Sequence, residues 1–181
     1  MKLRGVILLI LVAMMLGGCG DSSLGLTKED LSISKIEDSK AKIVYGMDRS
    51  DVENVLGKGE KSSFGFAYDS GVNVMYRDDI VAGISIDEDA ANVFQTPDIK
   101  IGMLKGDILK EYGEDNVLYN APKSLDYAYD TKEGVFLTEK SKRKENAEQM
   151  QDVYMVSVTF DDDGYAERIL LLDQRMAIHM N

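Results

Sequence analysis

The chain has 181 residues, of which 44% are hydrophobic and 29% charged, and its formal net charge is −11. The hydrophobic fraction argues against a wholly disordered chain, and the length allows one ordinary domain or two small ones. Acidic residues outnumber Lys and Arg by 32 to 21. This balance disfavours nucleic acid as a partner, because its binding depends on basic residues that neutralise phosphates.

The N-terminus has the three-part layout of an export signal. A basic start that includes Lys2 precedes an apolar run over residues 6–16, and small residues then stand before the single cysteine, Cys19. The apolar run is shorter than the roughly 20 residues that a membrane-spanning helix requires. Residues 1–18 are therefore predicted to be a signal peptide rather than a lasting membrane span.

The end of this signal, Leu16-Gly17-Gly18-Cys19, resembles the lipobox of bacterial lipoproteins. The resemblance implies cleavage between Gly18 and Cys19 and attachment of a diacylglyceryl group to the Cys19 sulfur. Two or more acyl chains anchor a protein stably, whereas one chain binds only marginally. The resemblance thus implies anchoring through lipid to the cell membrane, on its extracytoplasmic face. A signal peptide cut elsewhere, with Cys19 an incidental thiol, is the alternative.

Residues 19–42 are polar and without a sustained period, which predicts a tether to the membrane, with a short ordered piece around residues 31–36. A first unit is predicted at 43–89. In it, Asp48 is placed as the N-cap of a short helix, and strands around Phe64–Tyr68, 72–76 and 80–86 follow as an antiparallel meander.

The pattern that opens this unit recurs 56 residues later. Residues 46–57 read GMDRSDVENVLG and residues 102–113 read GMLKGDILKEYG. A repeat at such a period indicates one supersecondary unit used twice. A linker is accordingly predicted at 90–98, a second unit at 99–173 with a charged insertion at 139–152, and a C-terminal tail at 174–181.

No catalytic set stands out in the sequence. His179 is the only histidine and lies near the C-terminus, while a hydrolytic triad or a zinc site needs a positioned imidazole or several ligands. The run at 161–164, Asp-Asp-Asp-Gly, lacks the alternate spacing of a calcium loop and predicts a tight hairpin turn. We expect no metal, no cofactor and no enzymatic activity. The sequence still leaves open a hydrolase that uses two carboxylates, which ranks behind the two binding functions given below.

Aromatic residues that alternate with other residues allow two interpretations. Alternation usually places such residues in a sheet core. Alternatively, tyrosines on an open sheet face anchor a partner protein, a role in which Tyr is enriched. The candidate partner surface comprises Tyr68, Asp69, Tyr127, Tyr129 and Tyr154. Two short helices cover little of a sheet of six strands or more, so part of the sheet is expected to be exposed.

The repeated unit resembles the superfamily of the β-lactamase inhibitory protein and the SmpA/OmlA (BamE-like) envelope lipoproteins. The resemblance implies an α+β fold of two tandem repeats, each with a short helical layer packed on a three- or four-stranded antiparallel β-meander. It gives structural roles to the motif residues Gly46, Met47, Gly57, Gly102, Met103 and Gly113. Inhibition of β-lactamase is not carried over, because the disulfide cysteines of the inhibitor are absent here.

These observations predict a membrane-anchored, extracytoplasmic lipoprotein that is not an enzyme and binds another protein of the cell envelope. The alternative is a lipoprotein that binds a small ligand for a transporter or sensor. The feature that would favour the alternative is a concave apolar pocket with convergent polar groups.

Overall fold

The structure is a computed structural model that describes residues 25–141, 144 and 146–179. The predicted signal peptide, Gly18, Cys19 and the last two residues lie outside the described residues. In the part of the chain that the structure describes, the helices are α1 Arg49–Leu56, α2 Lys105–Tyr112, α3 Ala147–Gln151 and α4 Gln174–Ala177. The strands are β1 Ser32–Lys35, β2 Lys42–Val44, β3 Glu60–Ser62, β4 Gly65–Tyr68, β5 Val72–Arg77, β6 Ile80–Asp87, β7 Phe94–Gln95, β8 Val117–Ala121, β9 Ser124–Asp130, β10 Val135–Leu137, β11 Val153–Phe160 and β12 Ala166–Asp173.

Nine of these strands form one antiparallel sheet. Its order is β10-β9-β11-β12-β6-β5-β4-β3, and β8 pairs with the part of β9 that β10 leaves free. The strands that follow the two motif helices meet where β6 pairs with β12, with Ile84 opposite Leu171 and Ile86 opposite Ile169. The predicted α+β class with antiparallel strands is confirmed, and the strands of both units form one continuous sheet. The second unit departs from a simple meander, because β10 pairs with β9 on the side away from β11.

One face of this sheet, called here the inner face, is the floor of the hydrophobic core. Side chains alternate along a strand, so residues that pair across neighbouring strands share one face of the sheet. On this face the paired residues form an apolar row. The row runs Phe66, Val74, Ile84, Leu171, Val156, Tyr127. Val52 of α1 and Ile108 of α2 are fully buried and belong to the same core.

A second layer of the core comes from the segment predicted to be a tether. Strand β1 pairs with both β2 and β7 in a small antiparallel sheet. Leu31 and Ile33 are fully buried, and Leu26 is almost fully buried in the same cluster. The ordered piece predicted around 31–36 is therefore a strand, but the boundary predicted at residue 42 is too late, because the folded part already includes Leu26.

Each motif helix begins at the turn of a distant hairpin. The amide of Gly46 donates to the Val81 carbonyl at 2.9 Å, and the amide of Gly102 donates to the Ala166 carbonyl at 2.7 Å. Both glycines have positive φ, 86° and 78°, which favours glycine over residues with a side chain. Asp48 occupies the predicted N-cap position, but its side chain makes no capping hydrogen bond.

Three further predicted boundaries change. Phe64 lies in the turn before β4 rather than in a strand, because Gly65 (φ 151°) follows it directly. The predicted linker at 90–98 contains β7 and the buried Phe94. The charged insertion, for which a solvated loop or a frayed helix was predicted, contains the short helix α3, and the predicted C-terminal tail contains the short helix α4.

Candidate functional site

The outer face of the large sheet carries small and polar residues at its centre. A row of cross-strand neighbours crosses seven strands, from β4 to β8, in the order Ala67, Asn73, Ser85, Leu170, Ser157, Asp126, Tyr119. Neighbouring strands are about 4.8 Å apart, so this row is roughly 30 Å long. We call this surface the open face. It contains two depressions, one at each end of the row.

The first depression lies over β4, β5, β6, β11 and β12. Its volume is about 530 Å³, and its lining includes Asn73, Ser85, Ser157, Thr159, Arg168 and Leu170. At its rim the ring of Phe64 is 56% exposed. The Asn73 amide nitrogen donates to the Ser62 hydroxyl at 2.9 Å. This end of the open face is thus a depression of mixed apolar and polar lining beside an exposed aromatic ring.

The second depression lies between the β8–β10 edge and helices α3 and α4. It has a volume of about 900 Å³. Its apolar lining comes from strands and from both short helices: Leu118, Leu137, Met150, Met155, Ala177 and Ile178. Tyr119, 54% exposed, lines the same depression. The charged insertion and the C-terminal segment therefore supply walls of a pocket.

Asp126 is the acidic group on the strand floor of this pocket. The Ser157 hydroxyl on the neighbouring strand donates to its carboxylate at 2.5 Å. Burial raises the pKa of the Asp126 carboxyl, and the hydrogen bond from Ser157 partly opposes that shift. No Lys, Arg or His among the described residues forms an ion pair with Asp126. A poorly solvated carboxylate therefore faces a largely apolar cavity.

Lys144 is the one described basic residue that lines the pocket, and its charge is already neutralised. Its ammonium group lies 2.6 Å from Asp130 and 2.7 Å from Glu133. Asp130 is buried, and burial opposes its charge. Lys144 and the backbone amides of Lys132 and Glu133 outweigh that effect and lower the pKa of the Asp130 carboxyl.

Of the four tyrosines predicted as a partner surface, Tyr68 alone lines either depression of the open face. Tyr127 is fully buried, and Tyr68 and Tyr154 are almost so, since alternation directs all three to the inner face. Tyr129 packs against the core beneath Gly25, where an added Cβ atom would come within 2.3 Å of its ring. Asp69 is exposed in the β4–β5 turn. The core interpretation of these tyrosines is the one that agrees with the structure.

The motif residues occupy backbone and core positions away from the open face. Gly57 and Gly113 follow the two helices with φ of 84° and 86°. Met47 and Met103 are partly buried and pack against the core cluster. At 161–164 the chain makes the predicted hairpin turn, in which the Asp161 carboxylate accepts the amides of Asp163 and Tyr165 at 3.0 and 2.8 Å.

Asp126, Ser157 and Tyr119 were missed as site residues. A usable signal was present, because the predicted alternation of Leu125, Tyr127 and Tyr129 leaves Asp126 on the opposite face. Small or polar residues at such intervening positions mark the face that lacks a covering layer. The second depression had no such signal, since it depends on how two short helices fold back over the sheet.

The described residues contain no group of three or more His, Cys, Asp and Glu side chains placed to hold a metal ion. None of the described helices is long and apolar enough to cross a bilayer. His179 is exposed.

Comparison with protein-family models, with curated proteins and with solved structures finds no match to the chain. The resemblance to the inhibitor and envelope-lipoprotein superfamily therefore stays a prediction made from the motif.

Proposed function

We propose that the chain is a membrane-anchored, extracytoplasmic lipoprotein, not an enzyme, that binds another protein of the cell envelope through the open face. The lipobox at Cys19 supports the anchor. The observation that carries the proposed binding face is the position of two exposed aromatic rings, Phe64 and Tyr119, at opposite ends of the cross-strand row. Aromatic side chains commonly supply most of the energy at protein interfaces.

The dimensions of the open face support a protein as the occupant. A row of roughly 30 Å is comparable with the side of a patch of about 800 Å², which is what one partner buries in an interface of standard size. The chain without residues 1–18 has 19 basic and 32 acidic residues. A partner with a basic surface would therefore be attracted to it at low ionic strength.

We further propose that the chain consists of two tandem repeats. Their helices make matching hydrogen bonds 56 residues apart: the amides of Val52 and Ile108 donate to the carbonyls of Asp48 and Leu104 at 3.1 and 3.2 Å. Each of the two matched basic residues also lies near an aromatic ring, although the rings come from strands that are not equivalent, β4 and β11. Arg49 lies over the ring of Phe66 at 3.6 Å, and Lys105 lies 5.3 Å from the ring centre of Phe160.

The protein partner is tested by cross-linking and capture of the anchored chain from its own membranes. The parent should enrich one protein reproducibly, and the double variant Phe64→Ala/Tyr119→Ala should lose it. Tyr165→Ala is the matched control, because Tyr165 is 45% exposed but lies in the β11–β12 turn and does not line either depression. Failure of the parent to enrich any protein, or equal loss with the control, would overturn the proposal.

The lipid anchor is tested separately. Substitution Cys19→Ser removes the sulfur that would carry the diacylglyceryl group, so the chain should leave the membrane fraction or retain an uncleaved signal. Mass spectrometry of the mature N-terminus should show a lipid-modified Cys19 in the parent. An unmodified thiol at Cys19 in membrane-bound parent protein would contradict the anchor.

A second candidate function is binding of a small ligand for a transporter or sensor. The observation that favours it is the second depression, whose volume of about 900 Å³ lies within the range of about 300–1,000 Å³ that is usual for ligand pockets. Its apolar walls and its single poorly solvated carboxylate match the description of a pocket with few convergent polar groups. Thermal unfolding with a metabolite panel tests this candidate, because a ligand that binds the folded state raises Tm.

A further inference from the structure

We infer that the second depression is a site for a small organic ammonium ion with an apolar body, in which the Asp126 carboxylate binds the ammonium group. This inference rests on the second candidate function, binding of a small ligand, and names the chemical class of that ligand. It does not depend on the protein partner.

The charges of the described lining favour a cation. Two carboxylates, Asp126 and Glu139, line the depression, and the ammonium of Lys144 is paired with Asp130 and Glu133. An anionic ligand would thus meet two like charges and no free cation among these described residues. A ligand ammonium would supply the opposite charge that Asp126 lacks.

The position of Asp126 adds a second reason. The Ser157 hydroxyl is the one side-chain hydrogen-bond partner of Asp126 in the described structure, so further acceptor positions of the carboxylate remain for a ligand. Asp126 is half-buried, and one neutral donor compensates its charge less well than a charged donor would. An ammonium group has up to three donors to offer.

The walls define the rest of the ligand. Leu118, Leu137 and Met155 lie beside the floor, and Met150, Ala177 and Ile178 enclose it from the two short helices. Burial of methylene groups in such surroundings is favourable, because it removes apolar surface from water. An amine that carries an alkyl or aromatic body therefore fits better than a small hydrophilic amine.

The experiment uses three probes of equal length, n-octylammonium, 1-octanol and octanoate, with the mature chain labelled at its methionine methyl groups. NMR signals of Met150 and Met155 report on the second depression. Met75 lines the first depression and serves as an internal control. We expect n-octylammonium to shift the Met150 and Met155 signals, to leave Met75 unchanged, and to bind more tightly than the other two probes.

Two variants separate the charge from the shape of the pocket. Asp126→Asn keeps the shape and removes the charge, so it should weaken binding of n-octylammonium about tenfold or more, as expected for loss of a hydrogen bond to a charged group. Asp107→Asn is the matched control, because it removes the charge of a carboxylate on α2 that does not line the depression, and it should keep the binding.

The possible results separate failure of the proposed ligand class from failure of the pocket itself. If 1-octanol or octanoate binds as tightly as n-octylammonium, or if Asp126→Asn changes nothing, the ligand class is overturned while the ligand pocket stands. If none of the probes moves the Met150 and Met155 signals, the pocket itself fails as a small-molecule site. Preference for the ammonium together with its loss in Asp126→Asn supports the inference.

Discussion

The hydroxyl of Tyr45 donates a hydrogen bond of 2.6 Å to the carboxylate of Asp173, across 128 residues of sequence. Asp173 is fully buried at the end of β12, and its carboxylate also binds the guanidinium of Arg77 at 2.6 Å and accepts the amide of Met176 at 2.7 Å. One carboxylate thus connects the start of the first motif, the end of β5 and the first turn of α4. Burial, together with Asp173, raises the pKa of Tyr45, so this hydroxyl stays protonated as the donor.

Tyr45→Phe should therefore destabilise the fold. It removes one hydrogen bond to a charged group, which costs about 1.5–3 kcal/mol in the free energy of unfolding. Asp173→Ala should cost more, about 3–5 kcal/mol, because it leaves the partly buried Arg77 unpaired. Urea unfolding measures both. Tyr119→Phe is the control, since the Tyr119 side chain is largely exposed. An equal effect of Tyr45→Phe and Tyr119→Phe would show that the Tyr45–Asp173 contact is not important for stability.

Gly102 and Gly106 form a matched pair for backbone conformation in the second motif. An added Cβ atom would meet nothing within 4 Å at either position, but Gly102 has φ of 78° and Gly106 lies inside α2 without a positive φ. Gly106→Ala should stabilise the chain by about 0.5–1 kcal/mol, because alanine loses less entropy in a helix. Gly102→Ala should destabilise it by about 1–2 kcal/mol, the cost of a left-handed residue with a side chain. Thermal unfolding of both variants tests this, and the same sign for both would contradict it.

Asp126→Asn should make the unliganded chain more stable at neutral pH. Burial raises the pKa of Asp126 in the folded state, so its contribution to stability is full below the ordinary Asp pKa and is lost as the pH rises through the raised value. The variant avoids this loss. The free energy of unfolding should rise by roughly a few tenths of a kcal/mol in the variant, because solvent screens the partly exposed carboxyl.

The difference in the free energy of unfolding between Asp126→Asn and the parent should therefore vanish as the pH falls toward about 4, the ordinary pKa of Asp. Thermal unfolding between pH 4 and 8 measures this difference. The other ionisable residues of the described lining, Tyr119, Glu139 and Lys144, are the same in both proteins. A variant that is less stable than the parent at neutral pH would show that the carboxylate charge stabilises the pocket by itself.

Asp130→Asn should show the opposite dependence on pH, although Asp130 is on the same strand and the same face, four residues away. The pKa of Asp130 is lowered in the folded state, so its contribution is present above the ordinary Asp pKa and is lost as the pH falls through the lower, folded value. The free energy of unfolding of the variant should be lower by about 1–3 kcal/mol at neutral pH, because the buried side chain at 130 then loses its charge-assisted hydrogen bonds with Lys144 and with the amides of Lys132 and Glu133. The difference in the free energy of unfolding between variant and parent should disappear only in strong acid. A difference that grows in acid would contradict the lowered pKa of Asp130 in the folded chain.

The strand alternation in the sequence was sufficient to predict most of the antiparallel strands, but it left open which face of the sheet the tyrosines occupy. In β11, Val156 and Val158 show this alternation, and the partner strand β12 returns after the predicted turn at 161–164. Strands β1 and β7 could not be placed in the same way. Both strands are short, and they pair with each other across about 60 residues of sequence. A local sequence pattern gives no information on such a pairing.

The candidate site was less predictable than the fold. The pairing of Asp126 with Ser157 depends on the register of β9 and β11, which joins residues 31 apart. Of the two interpretations of the tyrosines, the sheet core agrees with the structure, because their alternation with Asp126 and Ala128 directs them to the core. For the charged insertion a solvated loop or a frayed helix was predicted; it contains a short helix, and its polar composition gave no sign that Met150 lines the pocket.

The central claim, that the open face holds a protein partner in the membrane, is tested most directly by site-specific photo-cross-linking of the anchored chain in its own cells. A photoreactive residue replaces Leu170 at the centre of the cross-strand row or, as a control, the exposed Lys110 on α2. The account predicts one discrete protein adduct from position 170 and none of that mass from position 110. The same adduct from position 110, with none from position 170, would contradict it.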